Sequence, residues 1–430
     1  MHAYESALGN DPAFRAAVKE NEASQANQTI GRSNLLPQIS GSATQMSNDS
    51  AINGPIFTSG PSVTTTRAYP SNSASVQVTQ PLFNLAALAQ MRQGKAQAAQ
   101  GEARFFYSTQ DLLVRVVQAY CDALYAQDNL SYLLSQRDAY KEQLVVNQRM
   151  FEKGEGTITD ALETKASYEM AVANVIEAQD QVKDALRKLG AVTGIQIDQS
   201  NSLRKLNSSF RPFPLKPNRF EDWRELAIDN NPELRAATQA VEVARQGYEQ
   251  QQAGHAPIIS AVASWGSYLS QNVQMIGQRA VTTSGGVQLS IPFYSGGGVV
   301  GRSVQAYANY EKAQADQDVI RDKIIIELHK QFDLMSSSVL RIQALSRSVE
   351  SGYELTKAMR KSVKGGQRIN LDVLLADKGL ATAQRDLAQA KYNHLITLLK
   401  LKQQAGTLYV EDLEKVATSF ERDSNLITPK

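Results

Sequence analysis

The sequence predicts a mainly α-helical fold with a small β part, built from two copies of one pattern in which two strands precede long helices. The same residues recur in both halves of the chain, and short segments of alternating polarity recur in pairs. In addition, no proline occurs in residues 82–211 or 293–428. Because proline interrupts a helix interior, its absence over such lengths favours very long helices.

The two copies are visible as residues that recur in the same order at a nearly constant spacing. The spacing is 220 positions near the start of each copy, 211 after its alternating segments, and 212 at the end of its long helices. Pairs that show these spacings are Pro12 and Pro232, Pro81 and Pro292, and Gly194 and Gly406. Because chance does not place such blocks in one order, we predict a first repeat over residues 1–220 and a second over residues 221–430.

Each repeat has the same internal order. A helical segment comes first, then a proline, two alternating segments separated by a polar loop, a second proline and the long helices. The alternating segments predict barrel strands near residues 36–46, 73–81, 257–269 and 281–292. Prolines predict the transitions between strand and helix, because proline fits neither a helix interior nor a central strand. These prolines are Pro37, Pro81, Pro257 and Pro292.

The strand predictions rest on alternating side-chain polarity. In the first segment Ile39, Gly41 and Ala43 alternate with serine and threonine, and the other segments show a similar modest apolar face. Weak alternation is typical of membrane barrels, although strands of a soluble sandwich show the same pattern. Residues 47–72 are rich in Ser, Thr, Asn, Gly and Pro, which predicts an exposed loop that is longer than its counterpart in the second repeat.

The helical stretches are too long for a compact globular domain. Residues 82–150 alone would form a helix of about 100 Å at the usual rise per residue. Apolar residues at helical spacing, such as Leu112, Val116 and Tyr120, are separated by polar and charged residues. This pattern indicates amphipathic helices of coiled-coil character, which need partner helices along their whole length.

Four strands per chain cannot close a membrane barrel. In lipid an open sheet edge is excluded because its N–H and C=O groups have no partners, so the barrel must be shared between chains. Two, three or four copies would give about 8, 12 or 16 strands, all within the known range. The residues by themselves leave that number open.

Two glycines mark turns between long helices. Gly154 and Gly366 each break a helical run, and Asp160 and Asp372 follow six residues later. A carboxylate near a helix N-terminus accepts backbone N–H bonds and suits the helix dipole. We therefore interpret the two aspartates as helix caps.

Several kinds of function have no support in the sequence. The net charge of +2 gives no dense basic face for nucleic acid. Cys121 is the one cysteine, and the helical pattern around it predicts a small buried residue rather than a reactive thiol. The four histidines are scattered without metal-binding spacing, and no nucleophile or phosphate-loop motif occurs. We expect no catalytic residue, no metal and no cofactor.

Two further expectations concern membranes and export. No stretch approaches the roughly 18 uninterrupted apolar residues that a membrane-spanning helix needs. The first residues form neither the basic nor the apolar region of a signal peptide, so we expect that any such peptide has already been removed.

In combination, the motifs resemble the TolC family of outer-membrane channels. They are Leu35-Leu36-Pro37, Gln80-Pro81-Leu82-Phe83 with Ile291-Pro292-Phe293-Tyr294, the turn from Gly366 through Asp372 to Leu374, and the ending Ala405-Gly406-Thr407-Leu408. The resemblance covers nearly the whole chain. It implies a homotrimer in outer-membrane lipid, with a twelve-strand barrel and a twelve-helix periplasmic tunnel. It also implies two partners, a periplasmic adaptor protein and an inner-membrane transporter of the ABC type.

The resemblance also implies roles for the turn residues, at the periplasmic end of the tunnel. The two aspartates are expected to form a pore gate, a role that can hold together with helix capping. Asp372 is expected to face the pore, where a symmetric ring of carboxylates sets ion preference, and Arg368 to pair with Asp160 as a latch. Adaptor docking is expected at turn residues Gly154, Gly156, Thr157, Gly365 and Gly366. A second ring carboxylate of the family falls here on Leu375, and a latch tyrosine falls on Val363. We therefore expect a less anionic gate that is held by fewer bonds.

The subgroup prediction is type I secretion. Residues 151–160 resemble members that export proteases, lipases or haem-binding proteins, and the start of the chain shows no cysteine of the lipid-modified kind usual in drug-efflux channels. Multidrug efflux is the alternative. A soluble coiled-coil protein is a weaker one, because a coiled-coil rod has no use for the paired alternating segments. An enzyme has no support.

Overall fold

A computed structural model describes residues 1–55, 62–195, 203–207, 210–270 and 278–421. The chain is mostly helical with a small β part, which confirms the predicted fold class. The elements are α1 (His2–Asn10), α2 (Pro12–Ser33), β1 (Gln38–Pro55), β2 (Ser62–Phe83), α3 (Leu85–Glu152), α4 (Ile158–Thr193), α5 (Phe220–Asn230), α6 (Pro232–Gln252), a 3₁₀ turn (Ala253–His255), β3 (Ile258–Ser270), β4 (Gln278–Ser290), α7 (Gly298–Lys364), α8 (Asn370–Gln404) and α9 (Val410–Ala417).

The chain forms two compact units, and each unit takes segments from both halves of the sequence. One contains residues 1–20, 103–235 and 318–430, and the other contains residues 21–102 and 236–317. The predicted repeats, residues 1–220 and 221–430, describe a duplication of the sequence. A compact unit does not have to coincide with one repeat. The boundary between the two repeats stays a prediction.

The first unit is a helical bundle with an apolar core. Leu112, Leu124, Leu395 and Leu399 are fully or almost fully buried and belong to one cluster. A second cluster surrounds Trp223. Burying one leucine side chain contributes about 1.5–3 kcal/mol, so residues at helical spacing are sufficient to hold these helices together.

Short kinks separate α1 from α2 and α5 from α6, at Asp11-Pro12 and at Asn231-Pro232. The Asp11 carboxylate accepts the N–H of Ala13 at 2.8 Å and forms an ion pair with Arg115. The Asn231 side chain accepts the N–H groups of Glu233 and Leu234 at 2.8 and 3.0 Å. Each residue therefore caps the helix that its following proline begins.

The second unit contains the sheet together with residues 21–33 of α2, residues 236–252 of α6 and the adjoining parts of α3 and α7. Helices α2 and α3 lie so close that a Cβ on Gly94 would collide with the backbone carbonyl of Asn27. A Cβ on Gly101 would collide with the Ser24 side chain. Glycine is required at these two positions because no side chain fits between the helices.

The sheet has four antiparallel strands in the order β1-β2-β3-β4. Strands β1 and β2 are much longer than predicted, and they pair without interruption from Gln38 with Thr79 to Pro55 with Ser62. The predicted loop at residues 47–72 was therefore wrong: apart from residues 56–61, which lie outside the described part of the chain, it is strand. Its Ser, Thr, Asn, Gly and Pro residues were interpreted as loop composition, but threonine favours strands when a partner strand is available.

Candidate functional site

The first turn joins α3 to α4, and Gly154 allows it. Gly154 has a φ of 74°, and its N–H donates to the Phe151 carbonyl at 2.9 Å. The N–H groups of Glu155 and Gly156 both donate to the Met150 carbonyl, at 2.8 and 3.1 Å. These hydrogen bonds satisfy backbone carbonyls at the end of α3 that would otherwise have no donor.

Thr157 caps the start of α4. Its hydroxyl oxygen accepts the N–H of Asp160 at 3.1 Å, and the same hydroxyl donates to the Asp160 carboxylate at 2.7 Å. The carboxylate therefore lies in the first turn of α4, where the helix dipole favours negative charge. The Asp160 carboxylate accepts its hydrogen bond from the Thr157 hydroxyl, whereas the side chain of a capping residue accepts a backbone N–H.

The second turn joins α7 to α8 and has a similar backbone. Gly366 has a φ of 71°, and the N–H of Gln367 donates to the Ser362 carbonyl at 3.0 Å. Gly365 likewise donates to the Lys361 carbonyl at 3.0 Å. Helix α8 differs from α4 at its start, because Ile369 stands at the cap position and makes no side-chain bond.

Asp372 lies in the first turn of α8, where its carboxylate contacts Arg368. The distance between Arg368 Nη1 and Asp372 Oδ2 is 3.6 Å, and both side chains are partly exposed. Within the described part of one chain, Arg368 and Asp160 do not form an ion pair. The latch between these two residues stays a prediction, as does the exposure of Asp372 to a pore.

The two helices of each pair are joined by a side-chain hydrogen bond near their turn, and neither bond was predicted from the sequence. Buried Asn147 on α3 donates from Nδ2 to the Thr164 hydroxyl on α4 at 2.7 Å, and to the Asp160 carbonyl at 3.3 Å. On the other pair, Arg360 of α7 donates from Nη2 to both carboxylate oxygens of Asp377 on α8 at 3.2 Å. Both pairs flank a turn at similar distances along the chain, which is the signal that would have found them.

Helix α8 contacts the first helix pair through an aromatic side chain. Tyr140 of α3, Ala171 of α4 and Leu374 of α8 form one buried cluster. Burial raises the pKa of the Tyr140 phenol, so this side chain stays neutral and acts as a packing residue. In the sequence Tyr140 was one of many residues on an amphipathic helix, and no motif identified it.

The four prolines predicted at the strand-helix transitions lie at or near element ends. Pro37 precedes β1 and Pro257 precedes β3, whereas Pro292 follows β4. Pro81 lies inside β2, opposite Ser260, two residues before the strand ends and next to a register shift. A proline is tolerated there because the ladder is already irregular.

His394 was considered in the sequence only as a metal ligand, and the structure gives it another role. Its Nε2 accepts the N–H of Phe213 at 2.8 Å, and its Nδ1 lies 2.7 Å from the Ser338 hydroxyl. Burial lowers the pKa of this imidazole to about 4. The residue is fully buried and neutral, and it fixes the segment before α5 against α7 and α8.

The described residues contain no group of His, Cys, Asp and Glu side chains arranged to hold a metal ion. Among the described helices, none combines the length and apolar character that crossing a membrane requires.

Known proteins are similar to this chain over nearly its whole length. The family model described as outer membrane efflux protein matches residues 3–195 and 223–407. The chain is 38% identical over 427 residues to the alkaline protease secretion protein AprF of Pseudomonas aeruginosa. This alignment covers 98% of the chain and 87% of AprF. The chain is 36% identical over 431 residues to the proteases secretion protein PrtF of Dickeya chrysanthemi, with coverage of 98% and 91%.

Among solved structures, the outer membrane protein VceC of Vibrio cholerae superposes with a TM-score of 0.78. The superposition covers 94% of this chain and 95% of VceC. At 16% identity this likeness shows the fold alone.

Proposed function

This chain belongs to the outer membrane efflux protein family and lies in the bacterial outer membrane, and from that premise we propose that three copies form the exit duct of a type I secretion system. The duct passes a secreted protein such as a protease or lipase from an inner-membrane transporter to the cell exterior. The observation that carries the proposal is similarity at 36–38% identity, over nearly the full chain, to two proteins named for protease secretion.

The proposed trimer is supported by the two free edges of the sheet. Among the described residues of one chain, β1 and β4 each pair with another strand on one side only. A sheet edge in lipid leaves N–H and C=O groups without partners, at a cost of several kcal/mol for each group. Pairing β1 of one protomer with β4 of the next removes both edges, and three protomers give a closed barrel of about 12 strands.

The two turns are the proposed periplasmic end of the duct. In this proposal Asp372 contributes a ring of three carboxylates to the pore, and Arg368 bonds to Asp160 in the assembled, closed channel. The glycines of both turns, with Thr157, form the surface where a periplasmic adaptor docks. An ABC transporter in the inner membrane completes the path.

Multidrug efflux is the second candidate. The fold does not separate it from secretion, because channels of both kinds share this architecture. The two relatives named for protease secretion favour the secretion assignment. We also propose that the chain is a passive duct and not an enzyme, since its family and relatives are channel or secretion proteins.

The assembly is tested on protein purified in detergent. We expect extraction only with detergent and a trimer by light scattering. A monodisperse monomer in detergent-free buffer would contradict the proposal.

The cargo class is tested by complementation of two strains. One lacks the outer-membrane component for a secreted protease, and the other lacks a drug-efflux channel. We expect restored protease secretion, in the presence of a matching transporter and adaptor, and no change in drug susceptibility. Restored drug resistance without secretion would support the efflux alternative.

A further inference from the structure

The residue pairs of the four-stranded sheet form rows that alternate in chemistry. One row across all four strands is Ser40, Gln77, Ser264 and Ser284. The adjacent row is Ile39, Val78, Ala263 and Gly285. Because successive side chains of a strand point to opposite faces, these rows belong to opposite faces of the sheet.

The same alternation continues one step further along the strands. The next row on the polar face is Ser42, Ser75, Gly266 and Thr282, and on the apolar face it is Gly41, Val76, Trp265 and Thr283. In these rows the polar face therefore carries hydroxyl, amide and glycine groups, whereas the apolar face carries the large hydrophobic side chains. In a membrane barrel the apolar face contacts lipid and the polar face lines the interior.

Hydroxyl groups on the polar face bond to one another across the strands. The Oγ atoms of Ser42 and Ser75 lie 2.9 Å apart, and those of Ser264 and Ser284 lie 2.7 Å apart. Each pair leaves further hydrogen-bonding capacity directed at water. The face is therefore a hydrated surface built from uncharged groups.

Charged residues are absent from this part of the sheet. Residues 38–46, 72–83 and 258–270 contain no Asp, Glu, Lys or Arg, and the single charged residue of β4 is Arg279, at one end of the strand. Arg279 pairs with Leu269, and its position in the alternation places it on the apolar face. The first unit, in contrast, has ion pairs near its helix turns, such as that between Arg360 and Asp377.

We propose that the membrane-embedded part of the duct is a charge-free wall of hydroxyl and amide groups, which passes polypeptide of either charge without binding it. This inference rests on the proposed duct. A fixed wall charge would attract oppositely charged segments of the cargo within about 10 Å at 0.1 M salt. A neutral, hydrated wall removes this attraction. Any selection of cargo by charge then takes place in the helical part of the duct.

The test uses cysteines on adjacent positions of β2, introduced into the full chain and purified as the trimer. Ser75→Cys lies on the polar face and Val76→Cys on the apolar face. The native Cys121 is fully buried, and burial raises the pKa of its thiol, so it adds no background. We expect water-soluble methanethiosulfonates to modify the variant at position 75 and not the variant at position 76.

The charge of the wall is then measured by comparing a cationic and an anionic methanethiosulfonate on Ser75→Cys at low salt. We expect the ratio of the two rates to match that of a small free thiol. Adding Ser264→Asp places three carboxylates on the wall and should shift the ratio toward the cationic reagent by about tenfold, because the potential acts in opposite directions on the two reagents. Ser264→Asn, of similar size and uncharged, should leave the ratio unchanged.

The outcomes separate this inference from the proposed duct. A chain that is not a trimer contradicts the duct itself. A trimer in which the cysteine at position 76 reacts and that at position 75 does not, or in which neither reacts, overturns the assignment of the polar face to the pore. A trimer whose rate ratio is already shifted as far as in the Ser264→Asp variant overturns the neutral wall alone.

Discussion

Asp160 and Asp372 occupy equivalent places after their turns, but their carboxylates contact different partners. Asp160 accepts a hydroxyl bond from Thr157, which caps α4. Asp372 contacts Arg368, and Ile369 leaves α8 without a side-chain cap. The first carboxylate is therefore hydrogen-bonded to the residue that caps its helix, whereas the second has a partly exposed cation as its neighbour. This difference favours Asp372 as the residue whose charge is available to a pore.

His394 gives the chain a pH dependence that a single substitution tests. The pKa of its imidazole is lowered to about 4 by burial, whereas the pKa of an unfolded histidine is about 6.5. As pH falls from 6.5 toward 4, the unfolded chain takes up a proton that the folded chain does not. The stability that neutral His394 contributes is therefore complete above pH 6.5 and decreases below it, by up to about 3 kcal/mol per protomer.

His394→Gln should flatten this part of the stability profile, because glutamine can accept the Phe213 N–H without titrating. The measurement is thermal unfolding at pH values between 4 and 7, followed by the fluorescence of buried Trp223. The exposed His329 provides a matched control, and His329→Gln should retain the slope. Equal slopes in the wild-type chain and the His394 variant would contradict the assignment.

At the scale of residues, the sequence identified positions but not partners. The glycines of both turns and the aspartates after them were predicted from spacing alone. The bond between Asn147 and Thr164 was not, because a buried asparagine on a long amphipathic helix looks like any surface amide. The role of His394 was not predicted either, since its two hydrogen-bond partners, Phe213 and Ser338, come from separate parts of the chain.

At the scale of elements, the largest difference from the prediction is a two-stranded ribbon. It is formed by residues 47–55 of β1 and 62–71 of β2. Strand β3 pairs with β2 only from Asn72 onward, so within the described residues the ribbon strands pair only with each other. Nine residues of strand extend about 30 Å. The serine, threonine and asparagine content correctly indicated a polar, exposed segment. The same composition does not distinguish a loop from a hydrated two-stranded ribbon.

We predict that this ribbon faces the cell exterior. A membrane-impermeant maleimide should label Ala51→Cys on intact cells, because the ribbon lies at the end of the sheet opposite the helices. Lys153→Cys, at the first turn, should be labelled only after the outer membrane is permeabilised. Labelling in the opposite order would show that the proposed topology is inverted.

The element order was predictable because long helices and paired strands leave periodic patterns that a single sequence displays. Strand lengths were not, since the end of a strand depends on whether its partner continues. The helix lengths were predicted well: a helix free of proline from residue 82 onward is observed as α3, Leu85–Glu152. Glycines between α2 and α3 were not singled out, because close helix approach has no short sequence motif in this chain.

At the scale of the whole molecule, the threefold symmetry of the proposed trimer multiplies each small interaction at the turns. An exposed ion pair such as that of Arg368 and Asp372 is typically worth about 0.2–1 kcal/mol. Three copies give at most a few kcal/mol, which is enough to shift a two-state equilibrium substantially. In the same proposal each Asp372 is a member of a ring of three carboxylates. Single substitutions at the turns should therefore change conduction more than stability.

The gate prediction compares two substitutions in planar bilayers. Arg368→Ser should raise single-channel conductance, because it removes the proposed latch to Asp160, and should strengthen cation preference, because Asp372 loses its neighbouring positive charge. Asp372→Ala should instead weaken cation preference and reduce block by multivalent cations, since the proposed ring of carboxylates is lost. Neither change should alter the stability of the trimer substantially.

Thr157→Ala is the matched control for the gate. It removes the cap of α4, at a cost of about 1 kcal/mol, without changing any charge at the turns. It should therefore lower the melting temperature and leave conductance and ion preference unchanged. If Arg368→Ser and Asp372→Ala behave in the same way as this control, the charged residues of the second turn only stabilise the end of a helix. If instead conductance and ion preference change in the two variants while their melting temperatures stay close to wild type, the charges act on the pore.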